Sequence, residues 1–189
     1  MNDILELIKS RRSVFPASYT GGEITKDDLN VILDAARWAP NHKKTEPWRY
    51  RVLQEGALDR LGDFLMSEFE RSQQKKPTLK ILKLAEKLQK ASAIVLIFMN
   101  RDAKERIPEW EEIAATSMSV QNMWLATSAL GYGAYWSSPK SYADMNNMEE
   151  LQVQDRERFL GFFFIGTIDD TEIEQPERLG VEKIARFLS

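Results

Sequence analysis

The only histidine of this chain, His42, lies in a segment rich in side chains that bind anions. Segment 40–48 also contains two lysines, an asparagine and a glutamate, and its two prolines predict a constrained loop rather than a helix interior. In the functional interpretation, the imidazole or a lysine bonds a ring carbonyl or a phosphate, while Trp38 or Trp48 stacks on the ligand. The alternative is an ordinary exposed loop whose tryptophans fill the core, which we favour for Trp48.

A second candidate motif is the triplet Arg11, Arg12 and Ser13. Guanidinium groups bind phosphate in a fixed fork, and the serine hydroxyl supplies a further donor. The triplet follows a predicted helix, and a helix C-terminus disfavours anions, so the side chains would have to do the binding. The alternative is that the basic residues only complement that helix end, which these residues alone favour.

A third candidate segment, 129–138, joins a predicted long helix to a strand. Gly131 is placed to end the helix in the left-handed conformation, which explains it without a ligand. The segment is not a dinucleotide fingerprint, because the order is helix to strand and the third glycine is missing. After the strand, Ser137 and Ser138 are small donors that suit a close approach to a flat ring, and Lys140 is a candidate anchor.

Five lysines recur at helical spacing along one predicted helix face. We interpret this face as solvated, with the aliphatic stems covering apolar surface. The alternative is attraction of an anionic substrate or membrane; a nucleic-acid groove is not expected, since no aromatic residues interleave. The five are Lys76, Lys80, Lys83, Lys87 and Lys90.

The composition excludes several classes of site. The chain has no cysteine and one histidine, so disulfides, thiol nucleophiles and thiolate or multi-histidine metal sites are excluded. A formal charge of −3 gives no general attraction to nucleic acid or anionic lipid. One domain over 1–189 is expected from the length. Acids near the N-terminus, and the lack of an apolar run of about 20 residues, predict a cytoplasmic protein without a membrane span.

Apolar spacing predicts helices before and after the histidine loop. A short amphipathic helix opens the chain over 4–8, and another fits 58–69. Thr25, with Asp28 three residues later, is typical of the start of a helix that Pro40 then stops.

Four strands are predicted. Alternation over 48–52 predicts a strand that leaves the histidine loop, and the continuous apolar run 93–99 is typical of a strand buried on both faces. Segments 133–137 and 159–166 are two further candidates.

The longest predicted helix runs from Pro108 to Leu130, and its apolar residues surround the helix axis. Such a helix is central or lies in a subunit interface. A terminal helix is predicted over 181–188. Helices therefore outweigh a small sheet, which indicates an α+β fold.

In their order and spacing, these segments resemble the nitroreductase family of flavin oxidoreductases. The resemblance covers nearly the whole chain, and the loop with histidine and lysine is similar to that of the small, minimal branch of the family. The segments that carry it are Arg11-Arg12-Ser13, Ala39-Pro40 before the histidine loop, Pro47-Trp48, the long apolar helix, Leu130-Gly131-Tyr132-Gly133 through Trp136, and Gly161-Phe162-Phe163-Phe164-Ile165-Gly166.

The resemblance implies an α+β, nitroreductase-like fold with a small, mainly antiparallel central sheet flanked by helices. It also implies an extensive homodimer built around the long apolar helix, with one FMN at each of two interface sites. The residues implied to hold FMN are Arg11, Arg12 and Ser13 at the phosphate and ribityl chain, Trp38, His42 where the partner subunit reaches the same flavin, and Ser137, Ser138 and Pro139 along the cofactor, with Lys140 beyond. The residues implied to approach the nicotinamide nucleotide are Thr127, Ser128, Ala129, Leu130, Gly131 and Tyr132.

The implied activity is a ping-pong oxidoreductase reaction. NADH or NADPH gives hydride to the flavin, and nitroaromatics, quinones or similar planar electron-poor acceptors then take the electrons. The scheme needs no protein acid or base, so no catalytic side chain is predicted. Two alternatives stay open: a hydrogenase or dehydrogenase of one metabolite on the same fold, and a flavin-binding regulatory or interaction module without turnover.

Two residues depart from the family pattern. Glu46 stands where many members have glutamine, and Ser137 stands where the most similar relatives carry arginine. An added carboxylate and a lost positive charge both disfavour an anionic reduced flavin. A lower redox potential is therefore expected, unless nearby lysines compensate.

Overall fold

The computed structural model describes residues 2–71, 86–138, 144–169 and 176–188. Four strands form one antiparallel sheet in the order β1-β2-β4-β3. Their bounds are β1 Trp48–Leu53, β2 Ala93–Asn100, β3 Tyr132–Ser137 and β4 Glu157–Thr167. The four predicted strands and the antiparallel sheet are therefore confirmed.

The sheet is central because helices cover both of its faces. The labelled helices are α1 Asn2–Ser10, α2 Lys26–Ala36, α3 Gly56–Arg71, α4 Glu109–Ala129 and α5 Val181–Ile184. Residues 86–90 are also helical, and short 3-10 turns cover Pro16–Ser18, His42–Lys44, Met145–Asn147 and Glu149–Leu151. Strand β2 is buried along almost its whole length, as its continuous apolar run predicts.

Alternate residues of the central strands build two separate cores. Ile94, Leu96 and Phe98 pack in one cluster with α3, while Val95 and Ile97 pack in the other with α2 and α4. This follows from the two-residue period of a strand, which sends successive side chains to opposite faces. The long helix α4 is thus fixed between the sheet and α2.

The predicted helix signals at α2 and α4 are confirmed. The Thr25 hydroxyl accepts from the Asp28 amide at 3.0 Å, which caps the start of α2. Pro108 occupies the N-cap position of α4, and Gly131 follows the helix with φ +82°, in the left-handed region that favours glycine.

The predicted terminal helix over 181–188 is wrong in its second half. Helix α5 ends at Ile184, and Ala185 has the extended backbone of a strand. A helix this short gains little from its own hydrogen bonds and needs tertiary packing. The apolar side chains of this segment do not find that packing on the described residues, since Phe187 is 89% exposed.

A buried polar chain ties α2 to β1 and α4 just before the histidine loop. Ser119 Oγ donates to the Ala36 carbonyl at 2.7 Å, so the Tyr50 hydroxyl donates to Ser119 at 2.6 Å. Asn122 donates to the neighbouring Ala35 carbonyl at 3.3 Å. Carbonyls at a helix C-terminus lack partners inside the helix, and these side chains supply them. Burial raises the pKa of Tyr50 to about 12, so it remains a donor.

Within the described ranges, no helix combines the length and the apolar content that crossing a membrane requires.

Candidate functional site

The backbone of the histidine loop is strained. Lys43, Lys44 and Glu46 have φ of 55°, 54° and 41°, values in the left-handed region that side chains other than glycine rarely adopt. The Glu46 amide donates to the Asn41 side chain at 3.1 Å, which closes the loop. Left-handed backbone persists only where surrounding contacts hold it, and it is more frequent at functional sites.

His42 forms its strongest described contact with α4. Its Nδ1 lies 2.7 Å from a carboxylate oxygen of Glu111, while 56% of the imidazole side chain is exposed. Beside this pair lies an open groove of about 360 Å³ between the loop and the first turns of α4. Its lining residues are Pro40, Asn41, His42, Trp110, Glu111, Ala114, Ala115 and Met118.

The two arginines of the early triplet lie against the far end of α4. The Arg11 guanidinium lies 4.7 Å from the centre of the Trp124 ring, and Trp124 Nε1 donates to the Arg12 carbonyl at 3.1 Å. The Val14 amide donates to the Ala134 carbonyl at 2.9 Å, which fixes the triplet beside β3. Ser13 is exposed.

Arg12 supports both interpretations of the triplet. It donates to the Lys9 and Arg11 carbonyls, so it does complement the end of α1. Its Nε, however, is buried and has no hydrogen-bond partner among the described residues. A buried donor without a partner is costly, and an anion at this point would satisfy it.

Arg178 is a third positive charge near the triplet, and the sequence pattern does not indicate it. The pKa of Arg11 is lowered by burial and then by the nearby charges of Arg12 and Arg178. Neither Arg11 nor Arg12 forms an ion pair with a carboxylate in the described part of the chain. No motif surrounds Arg178, so only tertiary proximity reveals it. Three like charges together favour a bound anion.

The end of β3 is shaped by Gly161 on the adjacent strand. Strand β4 has a bulge there, and Gly161 has φ +137°. A Cβ at Gly161 would lie 2.5 Å from the Ser137 carbonyl oxygen and 2.8 Å from Trp136 Nε1. Trp136 Nε1 is also buried and unpartnered among the described residues. Ser138 is exposed, whereas Pro139 and Lys140 lie outside the described residues.

The two tryptophans of the loop region have different environments. Trp48 is buried against Ala39 and Ala115, so the core interpretation favoured for it is confirmed. Trp38 is 72% exposed, and its Nε1 donates to Asp34 at 3.3 Å. Its ring is therefore available at the surface next to the loop.

The segment assigned to the nicotinamide nucleotide is only partly accessible. Thr127 is fully buried and donates to the Met123 carbonyl at 2.8 Å. The Tyr132 hydroxyl donates to Asp28 at 2.8 Å. The exposed or half-buried surface of this segment comes from Ser128, Ala129, Leu130, Gly131 and Tyr132.

Two of the five lysines of the predicted basic face fall in the described residues. Lys87 Nζ lies 5.0 Å from the centre of the Tyr135 ring, and Lys90 donates to the Ala17 carbonyl at 3.0 Å. Both therefore contact the body of the protein. Lys76, Lys80 and Lys83 lie outside the described residues.

The histidine and arginine groups lie near opposite ends of α4. Glu111 and Trp124, which contact His42 and Arg11, are thirteen residues apart, or about 20 Å along a helix. The structure therefore brings Arg11, Arg12 and Arg178 together at one end and His42 with its groove at the other. Among the described residues, no group of three or more His, Cys, Asp or Glu could hold a metal ion.

Comparison with known proteins agrees with this geometry. The model of the Nitroreductase family matches residues 8–167. A Bacillus subtilis protein named "Putative NAD(P)H nitroreductase YfhC" is 28% identical over 170 residues, which cover 87% of this chain and 84% of the relative. The Escherichia coli K12 protein "Putative NAD(P)H nitroreductase YdjA" is 26% identical over 166 residues, covering 87% and 88%.

Solved structures share the whole fold. A nitroreductase-like family protein from Bacillus cereus has a TM-score of 0.80 at 27% identity, covering 98% of this chain and 95% of its own. The FMN-dependent nitroreductase NfnB from Mycobacterium smegmatis, solved in complex with NADPH, has a TM-score of 0.75 at 19% identity, covering 100% and 99%. Since the family model spans all the residues that form the sheet, α4 and the arginine triplet, the chain belongs to the nitroreductase family.

Proposed function

We propose that this FMN-dependent NAD(P)H oxidoreductase reduces nitroaromatics, quinones or similar planar electron-poor acceptors in two alternating half-reactions. The observation that carries the proposal is the pair Arg11 and Arg12 in a nitroreductase fold: neither has a carboxylate partner among the described residues, and Arg11 lies over the Trp124 ring. The names of the two bacterial relatives support the electron donor.

The phosphate of FMN fits the arginine end of α4. Arg12 Nε is a buried donor without a described partner, and Arg11 is held in place by the Trp124 ring. Arg178 adds charge from the C-terminal segment. A guanidinium that is already oriented loses little freedom on binding, which suits a phosphate with three acceptor oxygens.

Two subunits are needed for a complete site. The arginine group and the histidine loop lie about 20 Å apart along one α4. A two-fold axis that sets two α4 helices antiparallel would place the first turn of one beside the last turns of its partner. Each flavin would then be held by arginines from one subunit and by His42 from the other.

Exposed apolar residues support this dimer. Ile4, Leu5 and Ile8 lie on α1, and Trp110 and Met118 lie on α4, with Trp110 67% exposed. The C-terminal segment exposes a third set, Leu179, Val181, Ile184, Phe187 and Leu188. Groups of exposed apolar side chains such as these mark a protein–protein interface. We propose that the partner subunit covers it and that the C-terminal segment lies along the partner.

FMN supplies the hydride chemistry, and the protein contributes position, electrostatics and access. Arg11 and Arg12 would hold the anionic tail, and the β3 end at Ser137 would lie along the flat ring. Tyr50 and Ser119 keep the loop that carries His42 at a fixed distance from α4.

Absorbance spectroscopy of the purified protein tests the proposal. We expect a yellow protein with one FMN per chain, bleached by NADH or NADPH without oxygen and re-oxidised by a quinone or a nitroaromatic. Parallel double-reciprocal plots are expected from the alternating scheme, and intersecting plots would contradict it. A flavin that NAD(P)H cannot reduce would instead indicate a binding module, and reduction without turnover of these acceptors would indicate a specific metabolite.

The phosphate assignment has its own test. Arg11→Ala with Arg12→Ala should release FMN during gel filtration, because the phosphate loses its donors. Arg60→Ala with Arg71→Ala, which changes two exposed arginines of α3 that pair with carboxylates, serves as the matched control. Stoichiometric flavin retained by the first double variant would refute the assignment.

A further inference from the structure

Glu111, a residue that no motif singled out, holds the one histidine of the chain. We propose that Glu111 is a positioning residue for the flavin site. Its carboxylate fixes the His42 ring and keeps a proton on Nδ1, so that Nε2 is the atom presented to the bound cofactor. The inference rests on the proposed function, since the ligand it serves is FMN.

The geometry requires the proton to be on Nδ1. A carboxylate only accepts hydrogen bonds, and Nδ1 lies 2.7 Å from Glu111 Oε2, so Nδ1 must donate. The hydrogen bond at one ring nitrogen decides which tautomer a histidine adopts. Nε2 is left without a hydrogen-bond partner in the described part of the chain, and His42 is one of the residues that line the groove.

Glu111 is itself held firmly, because its neighbour Glu112 anchors the same helical turn. Glu109 pairs with Arg158 at 2.9 Å, but both side chains are about half exposed, so this pair adds little to the anchor. Glu112 is fully buried, accepts the Asp102 amide at 2.9 Å and pairs with Arg101. The turn therefore cannot rotate freely. The Glu111 side chain is 24% exposed and contacts the histidine loop through His42. A helix N-terminus also favours a carboxylate.

The histidine loop needs such a support. Its backbone at Lys43 and Lys44 is left-handed, so the loop conformation has a cost that other contacts must offset. Glu111 joins the loop to a long helix that is packed against the sheet. The simpler interpretation is a surface ion pair, which contributes little to stability and serves no ligand. The two interpretations differ in what happens to the ring tautomer and to FMN.

Nitrogen NMR of the imidazole tests the tautomer without any cofactor. Because His42 is the only histidine, its ring signals need no assignment. At a pH where the ring is neutral, the wild type should show protonated Nδ1 and unprotonated Nε2. Glu111→Gln should lose this single tautomer, whereas Glu109→Gln, the same charge change two residues away, should keep it. A wild-type ring in mixed tautomers, or one unchanged in Glu111→Gln, would overturn the inference.

A double-mutant cycle tests the link to the flavin. Glu111→Gln should weaken FMN binding about tenfold, a coupling of ordinary size for residues in contact. In a His42→Gln background the same change should have no further effect, because Glu111 acts only through the histidine. Glu109→Gln should bind FMN as the wild type does.

The outcomes separate this inference from the proposed function. Suppose that the wild type takes up FMN. Glu111 is not a positioning residue if Glu111→Gln binds FMN as tightly as the wild type does, or if this change weakens FMN binding equally in the wild-type and His42→Gln backgrounds. If the wild type takes up no FMN, the proposed function is wrong and the role of Glu111 toward FMN is wrong with it, while the NMR result still decides whether Glu111 fixes the ring.

Discussion

At the scale of single residues, Glu46 is one of the two positions where this chain departs from the pattern expected from its resemblance to the family. The structure places it at the end of the histidine loop, exposed, with φ 41°, and its carbonyl accepts from Arg49 at 2.9 Å. Hydrogen bonds thus hold the backbone of Glu46, while its side chain is exposed to solvent. If the loop of one subunit lies against the flavin of the other, this charge would disfavour an anionic reduced ring.

Replacing Glu46 should therefore raise the midpoint potential of the bound flavin. Glu46→Gln keeps the shape and the left-handed backbone and removes only the charge. The matched control is Glu55→Gln, which removes a charge from another exposed glutamate with left-handed backbone, φ 49°, at the opposite end of β1. Spectroelectrochemical titration measures the flavin midpoint potential of each variant. Identical potentials for the wild type and Glu46→Gln would rule out the effect.

At the scale of elements, the join between α2, β1 and α4 positions the histidine loop. The Tyr50–Ser119–Ala36 chain is buried, and each donor in it has one acceptor. Periodicity predicts α2, β1 and α4 separately. It does not predict this join, because Ser119 looks like any small residue within a helix. The same limit explains why the predicted terminal helix is wrong in its second half, since 181–188 has helical spacing but does not pack on the described residues.

Ser119→Ala should destabilise the protein more than Tyr50→Phe. Losing Ser119 leaves the Tyr50 hydroxyl buried without an acceptor, at a cost of about 2 kcal/mol, whereas Tyr50→Phe removes one bond and costs about 1 kcal/mol. Ser117→Ala, which loses only a bond to the Ile113 carbonyl of the same helix, should cost less than either. Urea unfolding measures the three values; equal costs for Ser119→Ala and Ser117→Ala would contradict the role of the join.

At the scale of the whole molecule, the apolar surfaces on α1, α4 and the C-terminal segment form the proposed contact between two chains. The arginine and histidine ends of α4 become one site only if such a contact exists. Dimerisation and cofactor binding are therefore expected to fail together.

Charges on α1 should separate the subunits. Ile4→Asp with Ile8→Asp places two carboxylates on a helix face whose side chains are exposed in the single chain. We expect the mass from light scattering to fall from two chains toward one, and FMN to be lost with it. Val52→Asp, an exposed apolar residue on the outer strand β1, should leave both unchanged. A folded double variant that stays dimeric with its flavin would contradict the proposed interface.

The sequence by itself determined the strands, the capped and long helices, the α+β class and the family. Each of these depends on local spacing or on residues close in the chain. The tertiary structure alone decided which groups meet. His42 contacts Glu111, which is 69 positions away in the sequence, and the charge of Arg178, near the other end of the chain, lies close enough to lower the pKa of Arg11. Such pairs leave no periodic signal in the sequence. The packing of the sheet and α4 sets the distance between the two residues of each pair, and their neighbours in the sequence do not.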